Sequence, residues 1–144
     1  KKDMLSLPLP APLFYKGISP FNAGSFKMSP IHVEDIARIF VKSISMKNTI
    51  GKIYELGGAE KNWKEILNEI SIASGKNKLF VPAPVFPVKI LASIFDRFSW
   101  FPISRDQLIM LLEGNTCDSS EVFELFDISP LLFSQENLKY LNND

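Results

Sequence analysis

The residues best able to do chemistry here stand close together. His32 is the only histidine, and Glu34 and Asp35 are adjacent carboxylates, all within the stretch NAGSFKMSPIHVEDIARIF at residues 22–40. His32-Val33-Glu34 has the form of one half of a zinc deaminase site. That site also needs Pro-Cys-x-x-Cys, and Cys117 is the only cysteine, so the zinc reading fails. His32 with Asp35 could orient a nucleophile, but the chain has no G-x-S-x-G elbow. The remaining reading is structural: a histidine at a strand-to-helix joint, one ring nitrogen bonded to a backbone carbonyl. Glu34 and Asp35 then sit in a first helical turn, where each contributes a few tenths to about one kcal/mol by meeting the macrodipole.

Phosphate cradles and redox pairs are excluded by count. The glycines stand at 17, 24, 51, 57, 58, 75 and 114, and none has the spacing of a G-x-G-x-x-G turn. Gly57-Gly58 reads as a turn that ends a strand. No lysine follows Tyr15, Tyr54 or Tyr140 by four positions. The residues by themselves therefore give no catalytic centre, no cofactor-binding residue and no metal ligand set.

The elements that position these residues follow from periodicity and caps. Residues 1–25 read as loop, because prolines remove backbone donors and Gly17, Asn22 and Gly24 supply turn conformations. From Glu34, the residues Ile36, Ala37, Phe40, Val41 and Ile44 recur at helical spacing, giving a helix to about Ser45. A short strand is expected at 53–56, in KIYELGG. Asn62 and Glu65 form a capping pair before Ile66, Leu67, Ile70 and Ala73, with Gly75 as the stop. KLFVP reads as another short strand, closed by Pro82 and Pro84. Ser104 and Gln107 repeat the capping logic ahead of Leu108 and Leu111, and two short helices are expected at 119–126 and 134–141.

The helix expected at 84–98 differs in kind. Its polar residues Lys89, Ser93, Asp96 and Arg97 fall on one narrow stripe of an otherwise apolar cylinder. Such a helix needs cover, either from its own protein or from a partner or membrane surface, the latter helped by Phe95, Phe98, Trp100 and Phe101.

Composition bounds the class. The 144 residues are 46% apolar and 22% charged, enough for one ordinary core. Sixteen basic residues balance sixteen acidic ones without a block of either sign, which argues against nucleic acid as a partner. A lone cysteine points to a reducing compartment, so a cytoplasmic location is expected. Pro8, Pro10 and Pro12 break the early apolar run, so it cannot serve as a signal-peptide core. The chain opens at Lys1 rather than methionine and reads as the middle of something longer.

The order of segments then resembles a known family. SPIHVEDIARIFVKSI, IGKIYELGGAEKNWKEILNEISIASGK, FVPAPVFPVKILASIF and PISRDQLIMLLEGNT are similar to the C-terminal half of extended or atypical short-chain dehydrogenase/reductases. The nearest likeness is to the dehydrogenase-like accessory subunit of respiratory complex I and its bacterial homologues. In that pattern a Ser/Thr cap stands where Asn62 is found, and a glycine stands where this chain has Asp127.

The resemblance implies an α/β fold: a mainly helical C-terminal lobe at 26–144, with a few short strands, from a Rossmann-type protein whose N-terminal dinucleotide-binding part is absent. Residues 1–25 would be a loop lining the cleft. Phe21, Met28 and His32 would lie on its substrate side, and Glu34 and Asp35 would form the structural joint. The strand at 53–56 would join the edge of the absent parallel sheet, and the 84–98 helix would be covered by its own lobe. NAD(P) would be bound by the full-length protein and not by this piece alone. Implied partners are the dinucleotide-binding half and, beyond it, complex I subunits or a membrane surface, with a location peripheral to the inner membrane. Three functions stay open: a nucleotide-binding accessory protein, an active epimerase, dehydratase or reductase, and a free-standing interaction module.

Overall fold

The computed structural model describes residues 10–76, 78–95, 97–98 and 103–143. The expected positions 1–9, Asp96, Trp100 and Phe101 lie outside the described residues. The architecture is the expected α/β one, mainly helical with few short strands.

The first departure from the sequence reading is a strand, β1 (Ala11–Tyr15), inside the expected loop. It pairs in parallel with β4 (Phe80–Pro84), Ala11 opposite Phe80 and Tyr15 opposite Pro84. Prolines do not prevent this, because alternate residues of a parallel strand bond to a given neighbour. Ala11 N–H donates to Leu79 O, so odd-numbered residues of β1 face β4 and Pro12 faces away. By the same alternation Pro82 and Pro84 fall off the ladder. The Pro12 carbonyl is met from the other side by the Trp63 indole N–H at 3.3 Å.

Helix α2 (Trp63–Ala73) has the capping box that the sequence calls for: the Glu65 amide donates to Asn62 Oδ1, and the Asn62 amide to Glu65 Oε2, both at 2.9 Å. Asn62→Ala is expected to cost about 1 kcal/mol in urea unfolding, with most of the loss recovered by Asn62→Ser. Ser104 and Gln107 form the same box ahead of α4 (Arg105–Glu113).

β1 is covered on both faces. Ala11 and Leu13 pack with Leu67 of α2, and Phe14 packs with Leu108 and Leu111 of α4, while Trp63 touches both clusters. A short antiparallel pair, β2 (Lys27–Met28) with β3 (Lys61–Asn62), lies beside this core; a strand ahead of His32 was expected, its pairing with β3 was not.

Helix α1 (Val33–Ser45) forms where expected but turns a different face inward. It buries Asp35 and Ile39, and Ile39 packs with Phe123 and Phe126 around α5 (Ser120–Leu125). Lys42 Nζ reaches the carbonyls of Phe126 and Asp127 at 2.7 Å, holding the end of α5. The stripe read from the sequence is left outward, with Ala37, Phe40, Val41 and Ile44 exposed. The segment at 53–56 forms no strand, and Ile53 is 95% exposed. A β-strand needs a neighbouring backbone to satisfy its amides, and none of the described residues lies alongside.

α3 (Val85–Phe95) is the other apolar helix. The expected helix at 134–141 is replaced by turns and a 3-10 stretch at Lys139–Asn143. One α-type bond forms there, Leu138 N–H to Ser134 O. The Asn137 amide, however, donates back to Leu132 O, a local bond that competes with helix.

Candidate functional site

The loop at 29–32 carries the chain from β2 into α1, and His32 is the residue at the turn. Its ring is buried and caps α1, Nδ1 accepting from the Glu34 amide at 3.3 Å. Nε2 lies 3.0 Å from the Asn137 carbonyl, and Tyr140 meets the ring edge-on at 5.9 Å between centroids. An acceptor role at Nδ1 and a carbonyl at Nε2 fix the neutral tautomer with its proton on Nε2. The ring nitrogen bonded to a backbone carbonyl is what the structural reading expects, yet the carbonyl comes from 105 residues away. With both nitrogens engaged, the imidazole has no free edge for proton transfer.

Asp35 is not the cap. It is fully buried in the first turn of α1, and its Oδ2 accepts from the Leu131 amide at 2.8 Å. Oδ1 has no hydrogen-bond partner, Arg38 Nη1 being 3.7 Å away. Glu34 points outward and pairs with Arg38 at 3.2 Å. His32 and Asp35 thus both grip the C-terminal segment, while Gln135 N–H is held by Glu69 of α2 at 3.0 Å.

Phe21 and Met28, the other two residues expected on the substrate side, differ in exposure. Phe21 is almost wholly exposed on the 3-10 turn Pro20–Asn22. Met28 is half-buried in β2 and packs against the Phe14, Leu108 and Leu111 cluster.

A cavity of about 740 Å³ opens beside the joint. Its walls are the turn at 57–60, the loop at 116–120, and Ser29, Phe123 and Pro130. Ser119 locks the first two together, accepting from Gly57 N–H at 2.7 Å and donating to the Glu55 carbonyl at 3.1 Å. Ser29 and Cys117 bond to each other through backbone and hydroxyl groups. The lining holds four hydroxyl residues and two carboxylates, Glu60 and Asp118, and none of its residues is Lys, Arg or His. The Ser120 hydroxyl beside Asp118, with the Ser120 amide, holds that carboxyl below its usual range. Glu60 pairs with Lys27 at 2.6 Å, which raises the Lys27 amine above its ordinary value.

Chemically the cavity offers hydrogen bonds to a neutral polar group. It does not fit the diphosphate of a dinucleotide, which needs cations or a glycine-rich helix N-terminus, and no such turn faces it. No group of three or more metal-binding side chains occurs among the described residues. The sequence reading missed this cavity, although TCDSS at 116–120 clusters hydroxyls with an acid. Only folding shows that it meets Gly57-Gly58.

Comparison with known proteins gives the fold its setting. Over 86% of its length the chain superposes on a nucleoside-diphosphate-sugar epimerase from Staphylococcus aureus, with a TM-score of 0.60 and 26% identity. This chain is similar to epimerase-type short-chain dehydrogenase/reductases. It spans 43% of the epimerase chain. It is also 27% identical over 103 residues to the photosystem II assembly factor Ycf39 of Trieres chinensis, a match covering 69% of this chain and 32% of that protein. No family model matches the chain. No helix among the described residues is long and apolar enough to cross a membrane.

Proposed function

We infer that this chain is the substrate-side lobe of an NAD(P)-binding protein of the short-chain dehydrogenase/reductase type, in which the nucleotide has a structural or assembly role. The single observation that carries this reading is the epimerase superposition, which takes in most of this chain but under half of the epimerase. The exposed apolar residues Phe40, Ile44 and Ile53 support it, since they would meet a dinucleotide-binding half held by other residues of the full-length protein. The name of the Ycf39 relative supports an assembly role over turnover. On this reading the protein works in the cytoplasm, and the resemblance to the complex I accessory subunit makes respiratory subunits its candidate partners.

A second reading is an active sugar-nucleotide epimerase or reductase, favoured by the superposition on a nucleoside-diphosphate-sugar epimerase. Phe21 and Met28 would then contribute to the substrate side, with His32 holding the loop between them and α1.

NADPH fluorescence separates the readings. The 144-residue chain is expected to leave the emission of NADPH unchanged, because its cavity lacks cations. The longer reading frame around it is expected to enhance that emission without turning over nucleoside-diphosphate sugars. Turnover would favour the epimerase. Micromolar NADPH binding by the 144 residues alone would sink the lobe reading.

A further inference from the structure

Helix α3 is apolar on most sides, and much of it is uncovered. Only Ala92 is fully buried, while Val85 and Val88 are half-buried against Phe14 of β1 and Leu108 and Leu111 of α4, and Phe95 is half-buried beside Phe98. Its own lobe was expected to cover it. Instead Phe86 is 76% exposed, Ile94 51%, Ile90 47% and Leu91 45%. Phe86, Ile90 and Ile94 stand four residues apart and make one outward stripe.

We propose that this face of α3 seats the protein on an anionic lipid surface. Three features favour lipid over a protein partner. The exposed charged residues described on and just after the helix, Lys89 and Arg97, are both basic, which complements acidic headgroups. Asp96, between them in sequence, lies outside the described residues. The only other polar side chain within the helix, Ser93, donates its hydroxyl to the Lys89 carbonyl at 2.8 Å. It therefore presents no unmet donor to an apolar medium. Arg97 stacks over the Phe98 ring at 5.4 Å, so an aromatic face and a cation share one end of the helix.

Length decides the mode of contact. The helix runs Val85–Phe95, about 16 Å at the usual rise, against roughly 30 Å of hydrocarbon. It can lie in the interface but not cross it. This inference does not rest on the nucleotide reading, and its test needs no nucleotide.

The test is flotation of the whole chain with phosphatidylcholine vesicles, with and without phosphatidylglycerol. Binding is expected only with phosphatidylglycerol, and it should weaken as salt rises. The double variant Phe86→Ser, Ile90→Ser should bind roughly tenfold more weakly. Lys89→Glu with Arg97→Glu should weaken it by about as much. These surface charges keep the test open should the serine variant not fold. Ile44→Ser with Ile53→Ser should bind as the parent does. Absence of binding to anionic vesicles would overturn the proposal. So would loss of binding only in the Ile44 and Ile53 variant, or a dimer in solution that the Phe86 and Ile90 changes dissociate.

Discussion

Gly58→Ala is expected to lower stability by about 1–3 kcal/mol, the usual cost of overpacking a filled site. A Cβ on Gly58 would run into the Pro30 carbonyl oxygen, and backbone cannot swing aside as a long side chain can. Relief requires the turn at 57–60 to move off the 29–31 segment, which breaks the 3.3 Å bond from Gly58 N–H to Ser29 O. That same segment runs into the His32 cap of α1, so the disturbance reaches the joint. Urea unfolding should show a lower midpoint with an unchanged slope. A loss below about 0.5 kcal/mol, the range of an ordinary surface change, would show that the turn yields freely. Gly57→Ala meets Cys117 Sγ at 2.6 Å and Ser29 Cβ at 2.7 Å. Cys117→Ala should therefore rescue it only in part.

The second large effect is expected at Asp35. Asp35→Ala removes the acceptor for the Leu131 amide and leaves that donor orphaned, at a cost of about 1–3 kcal/mol. Asp35→Asn keeps an oxygen for Leu131 and should lose less. Hydrogen exchange distinguishes this anchoring role from a helix cap: the alanine change should speed exchange across 131–143, where Gln135 and Asn137 are also tied down. If instead exchange rose only in the first turn of α1, Asp35 would be acting on its helix and not on the C-terminal segment.

Both effects arise at places where the sequence names the residue and not the partner. The carboxylates at 34 and 35 look alike in the sequence, yet one faces solvent beside Arg38 and the other is sealed beneath the C-terminal segment. The histidine was readable as a ring bonded to a carbonyl. Nothing nearby in sequence points to Asn137, because the contact forms only when the chain's end returns to α1. The cavity was illegible for the same reason, since its two walls lie some sixty residues apart.

What the sequence determined alone was local. Helix starts at Asn62 and Ser104, the stop at Gly75 and the existence of α1 through α5 follow from caps and periodicity, which act within a turn or two of helix. The resemblance in segment order also anticipated the α/β class. Tertiary structure decided the rest. A strand exists only with a neighbour, so β1 formed from a proline-rich stretch once β4 lay beside it, whereas 53–56, with better strand residues, found no backbone to pair with. The inward face of α1 was likewise settled by distant residues, because Phe123 and Phe126 take Ile39 rather than the longer apolar stripe. Pairing and burial are properties of two segments at once, and no single stretch of sequence carries both.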